Sequence, residues 1–161
     1  MTWRIWAQEW QSGELSDTSK FFTFKMPSAK ILLGIRTWIV VYNDPTFTDL
    51  NAKLYSDEII GGLHTPKALI ASSTKSITKA EVLTLDNGVR EIPFTFDYIP
   101  LNADTFYNLV INGAGYSYSA GSHLAWRVSY PNPVYTDGIT VVPESLSKMP
   151  FFVSSIIAGD F

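Results

Sequence analysis

At 161 residues, with hydrophobic residues at 46% and a net charge of −3, the chain is expected to form one globular domain over residues 1–161, with a core that needs no covalent staple. Its twelve Lys and Arg residues are scattered, which removes the electrostatic ground for a nucleic-acid partner. No cysteine is present, so thiol catalysis and cysteine-held metals are excluded.

The opening segment, "MTWRIWAQEW", alternates: Trp6, Gln8 and Trp10 share one face, and Trp3, Ile5 and Ala7 the other. It lacks the basic start, apolar run and small-residue cleavage site of a signal peptide. The longest apolar run, "ILLGIRTWIVVY", contains Arg36 and is too short to span a bilayer. A soluble, mature protein with no membrane partner is therefore expected. A turn-rich "SGELSDTS" leads to the strand candidate "KFFTFKM", which Pro27 ends.

"AKILLGIRTWIVVY" is the longest strand candidate, with a bulge expected at Gly34. Asn43, Asp44 and Pro45 mark a turn, after which "LNAKLYS" alternates through Leu50, Ala52 and Leu54. "GGLHTPKALIASS" admits a short helix, with Thr65 as N-cap and Pro66 in the first helical position. A strand is preferred there, because Ile70 and the Ser/Thr-rich "ASSTKSIT" suit extended backbone. "AEVLTLDNGVREIPFTFD" reads as two alternating runs joined at Asp86-Asn87-Gly88.

In "LNADTFYNLVING" a polar turn opens onto a strand with two largely apolar faces. Tyr107, Leu109 and Ile111 lie on one and Phe106, Asn108 and Val110 on the other, so the strand belongs near the middle of a packed structure. Asp104 and Thr105 are expected to bond nearby backbone in that turn. "HLAWRVSY", a Pro-rich loop "PNPVYTDG" and a last run "PFFVSSIIAGDF" follow. No helical window exceeds about three turns. Strand signals recur roughly every ten residues, the rhythm of an all-β antiparallel sandwich or barrel.

With those strands placed, four segments resemble the small jelly-roll-like β-sandwich modules of phage structural proteins and bacterial extracellular proteins. They are "DLNAKLYSD" from Asp49, "PKALIASS" from Pro66, "PFTFDYIPLNADTFYNLVING" from Pro93 and "HLAWRVSYPNPVY" from His123. The resemblance covers roughly residues 31 to 161 and is carried by turn and core residues. It implies the fold, and it brings no shared catalytic set.

Local chemistry adds little. His64 and His123 are far apart, lack metal spacing and read as surface or loop residues. No H-E-x-x-H, P-loop or G-x-S-x-G occurs, and "NGAGYS" opens no helix that would suit a nucleotide. Glu81, Glu91 and Asp97 fall on or beside strands, whereas Asp17, Asp44, Asp49, Asp57, Asp86, Asp104, Asp137 and Asp160 fall in expected turns. Their spacing supports no glycosidase pair. A structural Ca²⁺ suits a jelly roll better, yet no D-x-D-x-D-G loop supplies it, so no metal ligand and no cofactor is named.

The aromatics are the best lead. Trp6, Trp10, Tyr116, Tyr118, Tyr130 and Tyr135 lie in or beside loops, or on strand faces that also carry polar residues. Core filling is the plain reading of each ring, and interface contact and sugar stacking are the functional ones. "GAGYSYSAGS" has the Gly, Ser and Tyr composition of an adaptable recognition loop. The expectation is a non-enzymatic virion protein, a capsid decoration, tail or fibre component. Its partners would be other virion proteins, copies of itself in an oligomer or lattice, and a host glycan. The alternative is a carbohydrate-binding module built on exposed aromatics.

Overall fold

The computed structural model describes residues 6–9, 21–84, 89–117, 119, 121–128, 140–142 and 153–159. The described residues form two antiparallel sheets and one six-residue helix. The strands in chain order are β1 (Trp6–Glu9), β2 (Phe22–Lys25), β3 (Lys30–Tyr42), β4 (Asp49–Ile60), β5 (Leu63–Ser72), β6 (Ile77–Thr78), β7 (Val89–Leu101), β8 (Phe106–Ala114), β9 (His123–Val128), β10 (Thr140–Val142) and β11 (Val153–Gly159). The helix α1 (Lys79–Thr84) lies between β6 and β7.

The first sheet is organised around β3. Strand β7 pairs along one side of it from Lys30 to Val40, while β11 and β9 divide the other side, and β1 adds onto β9. The second sheet runs β10-β2-β8-β4-β5, with β6 also pairing on β4. Ile35, Ile39, Ile92 and Phe94 from the first sheet share one buried cluster with Phe24, Leu50, Leu54 and Leu109 from the second. The all-β, antiparallel expectation holds.

Period two explains these strands. Leu50, Ala52 and Leu54 are fully buried on alternate positions of β4, as their spacing predicts. Tyr107, Leu109 and Ile111 enter the core from β8, also as predicted. The opposite face of β8 is buried too, at Asn108 and Val110. Gly34 borders an irregularity in β3, where Leu33 is the extra residue against β11, as expected. The segment 63–72 is a strand that includes Thr65 and Pro66, and the helical option is not used.

The turn before β8 is built from both sides. Asp104 takes a left-handed φ of 53°. Its backbone N–H donates to the Met26 carbonyl, and Met26 N–H donates to the Thr105 carbonyl. The Tyr107 hydroxyl accepts the Asn102 N–H at 2.8 Å, so a core ring keeps its polar end satisfied at the turn. Thr105 bonds the Ala103 carbonyl as expected. The Asp104 carboxylate instead pairs with Lys25 at 3.0 Å, because β2 runs alongside and brings the cation within reach.

One expectation fails in the middle of the chain. Residues 80–84, expected to alternate as a strand, lie in α1. Thr78 and Glu81 make a capping box: Glu81 N–H donates to Thr78 Oγ1 at 3.2 Å, and Thr78 N–H donates to Glu81 Oε2 at 2.8 Å. Lys75 donates to the other carboxylate oxygen at 2.6 Å, and Val82 anchors the single turn in the core. The expected turn at Asp86-Asn87-Gly88 lies outside the described residues.

Leu109→Ala is expected to cost about 2–5 kcal/mol, read as a fall in the urea midpoint, because it empties a fully buried site where two sheets meet. A second expectation concerns Glu81, whose carboxyl is lowered from its ordinary 4.5 to about 2 by the hydrogen bond from Lys75, then by the bonds from Thr78. The folded value lies below the unfolded one, so the cap is at full strength above about pH 4.5 and is lost as pH falls through about 2. Carboxyl-detected NMR should place the Glu81 titration well below that of exposed glutamates.

Candidate functional site

Of the expected site residues, Tyr116 is the one whose side chain is described. Tyr116 is only 2% exposed, within the core cluster, and its hydroxyl accepts the Leu124 backbone N–H at 3.2 Å. This overturns its reading as a surface contact. The chain beside it carries bridges between Thr46 and Ser117 and between Ser119 and Ser122. Trp6 stands in β1, with its side chain outside the described part of the structure. Trp10, Tyr118, Tyr130 and Tyr135 lie outside the described residues.

The histidines also depart from expectation, since neither is a loop residue. His123 lies in β9, buried, with the Tyr42 ring stacked on it at 4.5 Å. His64 lies in β5 and meets Asp57 of β4, which is a strand residue and not the turn carboxylate its composition suggests. The reason is register: β4 and β5 form one long hairpin, so residues seven apart in sequence become neighbours across it.

Asp57 and His64 end a polar row that crosses four strands. Thr23 Oγ1 on β2 donates to Asn108 Oδ1 on β8 at 2.6 Å. Asn108 Nδ2 donates to Asp57 Oδ1 at 2.8 Å. Asp57 Oδ2 meets His64 Nδ1 at 2.6 Å. Thr23 and Asn108 are fully buried, so each needs the other to offset the loss of water. The His64 ring packs on Phe106, with centroids 4.3 Å apart, and Lys25 Nζ lies 5.7 Å from the centroid of that same ring.

An ionised Asp57 only accepts, so opposite it His64 Nδ1 is the donor. This is the orienting half of a hydrolytic triad. The other half is missing among the described residues. Ser56, next to Asp57, takes the Ala68 N–H at 3.1 Å across the hairpin, and Thr65, next to His64, donates to the Leu63 carbonyl at 3.3 Å. Nor do three His, Cys, Asp or Glu side chains gather anywhere among the described residues to hold a metal ion. Through its three hydrogen bonds the row braces the hairpin, fastening it to β8 and β2.

Beyond that brace the hairpin continues alone. Strand β4 pairs with β8 only as far as Ser56, opposite Tyr107. From Asp57–Pro66 to Ile60–Leu63 it pairs only with β5 among the described residues. Gly61 and Gly62 close it at φ 59° and 82°, the left-handed pair that a tight two-residue turn requires. The tip exposes Ile59 at 65% and Ile60 at 57%. A second exposed feature lies on β7, where Tyr98 is 70% exposed at a φ of 49°.

No family model, no characterised protein and no solved structure matches this chain.

Asn108→Ala is expected to lower stability by about 1–3 kcal/mol, because it strands the Thr23 hydroxyl and one Asp57 oxygen. Urea unfolding of the variant checks this.

Proposed function

We propose that the chain is a non-enzymatic structural protein of a phage virion, a capsid decoration, tail or fibre component, folded as a jelly-roll-like β-sandwich. On this reading it works by surface contact with other virion proteins or with copies of itself. The observation that carries it is the braced hairpin tip, where Ile59 and Ile60 stand exposed at the end of a two-stranded ribbon. A lone ribbon is marginal in water, and exposed isoleucines on both of its faces suit a tip that becomes covered. The resemblance of residues 31–161 to phage and extracellular modules supports the same reading.

A second reading, carbohydrate binding by exposed aromatics, loses Tyr116 to the core. It is favoured by one described residue outside the expected set, Tyr98.

The expected outcome for the double variant Ile59→Ser, Ile60→Ser is loss of incorporation into particles. This is read by mass spectrometry of purified virions, with the melting temperature nearly unchanged because both side chains are exposed. Capsid, portal or tail genes are expected beside the coding sequence. Normal incorporation of the variant would show that the hairpin tip is not the contact. Absence of the wild-type protein from particles would remove the virion role.

A further inference from the structure

The β3–β7 register breaks at one place. Leu32 pairs with Ile99 and Gly34 with Thr95, so Phe96, Asp97 and Tyr98 stand opposite the single residue Leu33. Phe96 turns into the core, whereas Asp97 and Tyr98 are exposed. Tyr98 sits in the left-handed region, a strained conformation for a bulky aromatic and an easy one for glycine. Among the described residues, no ring, cation or hydrogen-bond partner meets its side chain. The base of the bulge is held firmly: Thr74 N–H donates to the Thr95 carbonyl at 2.8 Å, and the two threonine hydroxyls lie 2.7 Å apart. A strained residue held out by a rigid strand points to a use for its ring.

From this geometry we infer that Tyr98 and Asp97 form a carbohydrate-binding site. The ring offers a flat face for the C–H side of a pyranose, and the neighbouring carboxylate accepts sugar hydroxyls. A protein anchor would be ringed by apolar contacts that exclude water. Tyr98 is instead flanked along β7 by exposed Asp97, Thr95 and Pro100, two of them polar, which suits a sugar. One ring gives weak binding, on the order of millimolar, which repetition of the site on an assembled surface multiplies. The proposal rests on the carbohydrate-binding reading and is independent of the hairpin tip.

The test uses the whole chain and three probes, cellotetraose, chitotetraose and mannotetraose, followed by amide and aromatic NMR shifts. At least one probe is expected to shift residues 95–99. Tyr98→Gly should weaken that binding by about tenfold or more while leaving the melting temperature equal or higher, because glycine relieves the positive φ. Tyr98→Phe, which keeps the ring, should bind within about threefold of wild type, and Asp97→Asn should bind more weakly. Binding that persists unchanged in a folded Tyr98→Gly variant would overturn this site and leave carbohydrate binding to another surface. No shift with any of the three probes would overturn both the site and the carbohydrate reading.

Discussion

Strand β8 must satisfy two different neighbours at once. Its Tyr107, Leu109 and Ile111 side chains enter the core shared by the two sheets. Between them Asn108, equally buried, faces the other way and has to find polar partners there. Thr23 from β2 and Asp57 from β4 supply them, one from each flanking strand. A one-residue slip of β8 against either neighbour would drive an amide into the core and Leu109 out of it. The register of β2, β8 and β4 is therefore held by apolar burial on one face and by a satisfied polar row on the other.

That row has a consequence for the periphery. The Asp57 carboxylate binds Asn108 with one oxygen and His64 with the other, so the order of the sheet centre is passed to the hairpin beyond it. Phe106, at the start of β8, adds a ring beneath His64, and Lys25 and Asp104 close that end of the sheet. The hairpin tip thus projects from a braced root. An oriented histidine is often the mark of catalysis, but here its orientation also explains itself structurally, as the outermost member of a brace.

Both exposed features that the functional proposals use lie at the margins of the sheets. Ile59 and Ile60 occupy a ribbon that has outrun its neighbour, and Tyr98 occupies a bulge on β7, which pairs along only one side of β3. The core elements are almost wholly consumed by packing, whereas places where regular pairing ends leave side chains free to be aimed outward. The strain at Tyr98 and the apolar tip are local departures from the most stable choice, supported by the well-packed strands to which they are attached.

Much of the fold was legible in the residues themselves. The alternation in β3, β4 and β8 identified the strands and their buried positions, because one side chain in two must leave water wherever a sheet covers a core. The helix α1 was also written locally, in the Thr78-x-x-Glu81 box, but alternation in the same segment masks it; the cap and the Val82 contact prevail over strand propensity. Gly61-Gly62 carries a hairpin signal of similar strength. The candidate sites were not legible. Tyr116 in a Gly- and Ser-rich loop reads as exposed, and only the packing of that loop against the sheets buries it. Asp57, His64, Asn108 and Thr23 come together through strand registers spanning up to 85 residues, and Tyr98 is exposed by a bulge that depends on its pairing with β3. Sequence by itself determined which segments are strands and which of their faces are apolar, since that follows from side-chain alternation and transfer from water. Tertiary structure alone decided which polar groups meet and which aromatic ring remains outside, since both depend on contacts between strands that local sequence does not encode.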